Sequence, residues 1–225
     1  MLSPLCETFD VIVPAKGAHG RSIPLPGSLT VPATPTGMVI LARGSESSLP
    51  SDRHAAVAGV LNDFWISTLV FDLLTDGESA HHATTVDIPL LAERLLVAIR
   101  FAQRREELRY LSIGLFGAGT DAAAALAVAA CEPTVKAVVS SGGRLDLAGR
   151  KLRSVHAPTL LIVGGDDLDG LAVNRHFLAE IGCEDRQLDV IPGASNLFEE
   201  PGTLAESARR ASDWFTRHLH DDAGT

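Results

Sequence analysis

Cysteine and positive charge are both scarce in this chain of 225 residues. Its three cysteines, Cys6, Cys131 and Cys183, are odd in number and widely spaced, with no C-x-x-C pair to hold a metal or run a redox cycle. Free thiols in a reducing cytoplasm are the expectation. Lysine and arginine total 19 against 28 acidic residues, a formal net charge of −9. Nucleic acid and anionic membrane both demand a basic footprint, so neither is expected as a partner. The pairs Arg104-Arg105 and Arg209-Arg210 lie on helix-like segments that also carry glutamate and read as solvated faces. No run reaches the roughly 18 apolar residues of a membrane span. The opening Met1-Leu2-Ser3-Pro4-Leu5-Cys6 lacks the basic start and apolar stretch of a signal peptide. Repeats, low-complexity tracts and linkers are missing as well, so residues 1–225 are expected to form a single domain with its core over about 8–219.

What is present alternates between strand and helix. Short strands are predicted over 8–13 and 25–31, joined by a hairpin loop at Lys16-Gly17-Ala18-His19-Gly20. Met38-Val39-Ile40-Leu41-Ala42 is a continuous apolar run of the length of a buried parallel strand. A helix capped by Ser51 follows to residue 62, then a strand over 67–73. Ile88, Leu91, Leu95, Ile99 and Ala102 recur at helical spacing and predict a helix over 87–107. Further strands are predicted over 111–116, 135–139, 158–164 and 187–191, with helices over 122–130 and 168–181. A last helix opens on Thr203-Leu204-Ala205-Glu206, which has the form of a capping box, and carries Leu204, Ala208, Ala211, Phe215 and Leu219 on one face. Helices between apolar strands imply an α/β fold: a mostly parallel central sheet with helices on both faces, preceded by an N-terminal antiparallel hairpin and without a large cap domain.

In such a sheet, ligands meet the loops at the carboxyl ends of the strands. The sharpest of these turns is Gly117-Ala118-Gly119-Thr120-Asp121, between an apolar strand and an alanine-rich helix. Many α/β enzymes carry a serine nucleophile at this place in the pattern G-x-S-x-G. Here glycine holds the nucleophile position and aspartate the last one. The other informative loops are Arg43-Gly44-Ser45-Glu46, Ser140-Ser141-Gly142-Gly143, Gly164-Gly165-Asp166-Asp167 and Pro192-Gly193-Ala194-Ser195-Asn196.

Together these loops resemble the α/β-hydrolase superfamily, in particular its compact dienelactone-hydrolase-like members, over nearly the whole chain. The resemblance implies an H-G-x-G segment beside the oxyanion, a serine at the elbow, an acid in the G-G-x-D loop and a histidine in a P-G-A-x-H-type loop. Carried over, the serine position falls on Gly119, the acid on Asp167 and the histidine on Asn196. The oxyanion side of the pocket falls on Gly44, Ser45, Thr120 and Asp121, with Glu46 where the family has glycine. Two of three triad positions therefore lack the required chemistry, and the resemblance implies a homologue that has lost serine-hydrolase activity and serves as a ligand-binding or interaction module. The alternative is a weak or unconventional hydrolase of small esters or lactones. The expected partner is a small-molecule ligand, with a protein partner or self-association also open. No cofactor or metal is expected. Relatives of this compact kind can be fused to a phosphoribosyltransferase domain.

The same residues admit other readings. Gly117 to Ala122 also fits the dinucleotide pattern G-x-G-x-x-A, but it lies in mid-chain and lacks the acidic residue expected about 20 positions on. Thr120 reads as a helix N-cap, and Ser195 as a loop hydrogen-bonder. Ser140 and Ser141 end a different strand. Asp121, Asp166, Asp167 and Glu46 form a candidate carboxylate cluster for a hard cation. His81 and His82 are expected in a surface loop, while His54, His176, His218 and His220 are expected on or beside helices.

Overall fold

The computed structural model describes residues 5–17, 22–44 and 52–219. The predicted hairpin is there: β1 (Cys6–Lys16) and β2 (Ser22–Pro32) pair antiparallel from Cys6↔Pro32 to Lys16↔Ser22. Both strands run well past the predicted limits. The tip of the loop between them, His19 included, lies outside the described residues, as do Ser45, Glu46, Ser51 and His220.

The remaining strands are β3 (Gly37–Arg43), β4 (Ile66–Asp72), β5 (Ile113–Ala118), β6 (Val135–Ser141), β7 (Thr159–Gly164) and β8 (Arg186–Ile191). They form one sheet in the order β1-β2-β4-β3-β5-β6-β7-β8. β2 meets β4 antiparallel, and every pair from β4 to β8 is parallel. The helices are α1 (Asp52–Asp63), α2 (Asp76–Ser79), α3 (His82–Thr85), α4 (Ile88–Gln103), α5 (Thr120–Ala129), α6 (Leu168–Leu178) and α7 (Thr203–Leu219). This is the α/β-hydrolase arrangement expected from the sequence.

Central strands buried on both faces need apolar residues at every position, which is why β3 reads as an unbroken run rather than an alternation. Successive side chains go to opposite layers. Val39 and Leu41 join Val57, Leu61, Trp214 and Phe215 of α1 and α7. Ile40 and Leu115 join Leu95, Ile99 and Leu126 of α4 and α5. Asp121 through Ala129 of α5 are all buried, and the small alanine side chains let this helix lie close to the sheet.

Several boundaries differ from expectation for local reasons. Asp87 caps α4 by accepting from the Leu90 amide at 3.1 Å, and the helix stops at Gln103 rather than 107. α6 ends at Leu178. No capping box forms at Thr203: it is already helical, and its hydroxyl donates to the Glu200 carbonyl at 2.7 Å. Glu206 instead pairs with Arg209 and Arg210. Among the described residues, no helix is long and apolar enough to cross a membrane.

Candidate functional site

β5 delivers the chain to the carboxyl edge in the middle of the sheet, and the reversal into α5 is tight. A Cβ at Gly117 would stand 2.6 Å from the Cα and N of Ala122, so only glycine permits the helix to start there. Gly119 has φ 52° and ψ −124°, a left-handed conformation that costs a side-chain-bearing residue on the order of 1–3 kcal/mol and glycine almost nothing. Its amide donates to the Ser141 carbonyl at 3.3 Å, and its carbonyl accepts from the Arg144 amide at 3.0 Å. Gly119 itself is the residue capping α5 and Thr120 is the first helical one; Thr120 makes no side-chain cap, contrary to its reading as an N-cap.

The loops after β6, β7 and β8 converge on the same edge through main-chain contacts. The Gly142 amide donates to the Ile162 carbonyl at 2.8 Å, and the Asp166 amide to the Ala194 carbonyl at 3.0 Å. A Cβ at Gly164 would lie 2.3 Å from the carbonyl oxygens of both Ala194 and Ser195, and one at Gly142 would lie 3.0 Å from that of Asn196. The backbones carrying Gly119, Asp167 and Asn196 are thus brought into one rim.

Their side chains are spent differently. Asp167 is the N-cap of α6, with Oδ1 accepting from the Gly170 amide at 3.0 Å. Asn196 is exposed. The Ser195 amide and hydroxyl both donate to Glu200 Oε2, at 2.9 and 3.2 Å. Those bonds, the amide foremost, hold the Glu200 carboxyl below its ordinary pKa. Phe198, buried in the layer beneath, takes φ 51°, a left-handed conformation unusual for a bulky residue.

Asp121 is the surprise of the site. The sequence places it in the first turn of a helix, where a carboxylate favours the dipole. It is there, but only 2% exposed, and Oδ2 accepts from the Gly44 amide at 3.0 Å. Gly44 is the residue immediately after β3. A Cβ on it would lie 2.9 Å from Asp121 Oδ1 and 3.0 Å from Leu73 Cβ. Asp121, Asp166 and Asp167 do not act as one cluster: the first is buried under the β3 end, the second is exposed, and the third caps α6. Among the described residues no group of three or more His, Cys, Asp or Glu side chains is placed to hold a metal ion.

Around the rim, the Arg43 Nε donates to Asp72 on the neighbouring β4, and that bond raises the guanidinium pKa. His54 on α1 sits edge-on to Phe116, with ring centroids 6.3 Å apart. Burial, followed by the charges of Arg43 and Arg53, lowers it to about 4, so its imidazole is neutral at physiological pH. His81, His82, His156 and His176 are exposed. His218 lies against Trp214 and Asp185. A cleft of about 440 Å³ opens beside Arg43, between α1 and the β2–β4 strands, and its walls include Asn62, Thr68 and Asp72 but none of Gly119, Asp167 and Asn196.

A structural clamp lies behind the rim. Arg94 of α4 is 1% exposed; its Nη1 and Nη2 donate to the two oxygens of Glu78 at 2.9 and 2.6 Å, and Nη1 also reaches the Leu73 carbonyl. Thr75 and Glu78 complete a capping box on α2. The guanidinium beside Glu78 holds its carboxyl down at about 2. The signal was present as Thr75-Asp76-Gly77-Glu78, itself a capping-box pattern. This clamp fixes the segment leaving β4, against which Gly44 packs.

No family model matches the chain. Two proteins from strains of Mycobacterium tuberculosis, each described as a putative phosphoribosyl transferase, are 50% identical to it over 199 residues. The match takes in 88% of this chain but 44% of theirs, so the chain spans less than half the length of these curated relatives. Among solved structures, a dienelactone hydrolase from Anabaena variabilis is 43% identical and superposes with a TM-score of 0.86 over 97% of this chain and 100% of that one. Est1E from Butyrivibrio proteoclasticus is 14% identical, with a TM-score of 0.75 over 92% of this chain and 98% of its own, and shares the fold.

Proposed function

The chain belongs to the dienelactone-hydrolase family of the α/β-hydrolase superfamily, and from that premise we propose that it is a member without serine-hydrolase activity, acting as a ligand-binding or interaction module. The observation that carries this reading is Gly119, in the left-handed elbow conformation with no side chain to acylate. Acyl transfer of this kind needs an oxygen nucleophile and a base to take its proton. Asparagine at 196 cannot take a proton near neutral pH. In a serine protease, losing the nucleophile or the histidine alone costs about 10⁶ in kcat, leaving roughly 10³–10⁴ over water from binding and oxyanion contacts. Asp167 is the one triad position with a suitable side chain, and its Oδ1 has another occupation in capping α6.

The decisive experiment compares the wild-type protein with Gly119→Ser/Asn196→His. Both are exposed to a fluorophosphonate probe and to small aryl esters and lactones. Labelling and turnover are expected only in the double variant. Labelling of the wild-type protein, or ester turnover abolished by Asp167→Ala, would overturn the proposal.

The names of the mycobacterial relatives support a narrower version, in which this chain serves as the binding unit beside a phosphoribosyl-transferring unit supplied on a longer chain or by a partner. The part of a mycobacterial relative that this chain does not match can be purified and mixed with it. A co-eluting complex on gel filtration supports the narrower version, and separate elution counts against it.

A further inference from the structure

Loss of a nucleophile at 119 and a base at 196 leaves the buried carboxylate of Asp121 unexplained. The family's elbow ends on a small residue at this position. Here a charged side chain is packed into the first turn of α5, 2% exposed, with its Oδ2 3.0 Å from the Gly44 amide. The contact is fixed, because Gly44 has no room even for a Cβ beside Asp121 Oδ1 and Leu73. In hydrolases of this fold, the oxyanion is held by the amide of the residue after the nucleophile together with an amide from the loop after β3. Those places correspond to Thr120 and to the segment that begins at Gly44. Asp121 follows Thr120 directly and consumes the first amide of that segment.

We infer that Asp121 is an independent lock on this elbow: its negative charge opposes oxyanion chemistry there even when a nucleophile and a base are restored. The inference rests on the silent-elbow reading above and deepens it. When an elbow serine attacks a phosphonofluoridate, the Oγ–P bond forms and the P–F bond breaks. Fluoride leaves, the hydroxyl proton passes to the base, and negative charge grows on the phosphoryl oxygen. A carboxylate bonded to the Gly44 amide raises the energy of a negative oxygen held at that segment, whereas preorganised donors lower it. The first turn of α5 also stabilises negative charge on Asp121 through the helix dipole.

The test measures the labelling rate by a fluorophosphonate in Gly119→Ser/Asn196→His, and again with Asp121→Asn or Asp121→Gly added. Asparagine keeps the shape and the acceptor for Gly44 while removing the charge. Glycine restores the family's small residue. Both triple variants are expected to label on the order of 10²-fold faster than the double variant, the size of effect seen for a single oxyanion contact. Equal rates, or no labelling in any variant, overturn the inference. Acceleration by glycine alone also overturns it, since bulk rather than charge would then be the obstacle. Labelling of the wild-type protein strikes instead at the proposed function, so the two failures are distinct. Cooperative thermal melts of each variant verify that the fold persists.

Discussion

Asp167 illustrates how one residue can fit a chemical role and a structural one at once. As a triad acid it would orient a histidine; here it closes the N-terminus of α6, and the histidine position carries an exposed asparagine. The two roles predict different mutational behaviour. Loss of an N-cap costs about 1 kcal/mol, whereas asparagine caps about as well as aspartate. Asp167→Ala is therefore expected to lower stability by about 1 kcal/mol and Asp167→Asn to leave it nearly unchanged, as urea denaturation would report. The placement of Gly119, Asp167 and Asn196 in loops at the carboxyl edge of the sheet was legible from sequence, because the alternation of strands and helices survives without a structure. The burial of Asp121 was not. Its partner Gly44 lies 77 residues away, and local reasoning stops at the first turn of the helix. Side-chain preference points to Thr120 as the cap for a similar reason: the left-handed turn at Gly119 sets the helix start one residue away, and no side-chain preference reveals that.

At the scale of elements, long periodic segments were the legible ones. The stripe from Ile88 to Ala102 identified α4, and continuous apolar runs identified β3 and β5. The four-residue helices α2 and α3 are too short to show a period. α2 is held by the clamp of Arg94 on Glu78, a contact made across tertiary structure. Arg94 is 1% exposed and Glu78 30%, so Glu78→Ala, which leaves the buried guanidinium with the Leu73 carbonyl, is expected to cost about 1–3 kcal/mol. The clamp also has a pH signature. With its carboxyl held at about 2 against an ordinary 4.5, Glu78 stabilises the fold fully above about 4.5. That contribution fades as the pH falls through the interval toward 2. The urea midpoint of the wild-type protein should therefore drop on acidification by more than that of Glu78→Gln. Parallel curves would show that the clamp contributes nothing to acid stability.

For the whole molecule, the parallel order and the leading antiparallel hairpin followed from the alternation of strands and helices, whereas the interleaving of β4 between β2 and β3 had no sequence signal. Two apolar layers share one sheet. Trp214 lies in the layer with α1 and α7, while the alanines of α5 lie in the opposite one. Because each central strand contributes side chains to both, neither layer can melt without the other. Tryptophan fluorescence and far-ultraviolet circular dichroism should accordingly trace one coincident unfolding transition. Two separated midpoints would show that residues 1–225 hold more than one cooperative unit.

The rim around Gly119 is tied together by Gly119 to Ser141, Arg144 to Gly119, Gly142 to Ile162 and Asp166 to Ala194, and every one of these bonds runs between backbone atoms. Such bonds need an amide and a carbonyl, which nearly every residue supplies. Outside the glycines that the close approaches at 117, 142 and 164 require, the mouth of the site therefore keeps its shape whatever side chains it carries. Side chains on this rim can thus be exchanged one at a time without forfeiting the frame, which sets the geometry for whatever chemistry is placed in it.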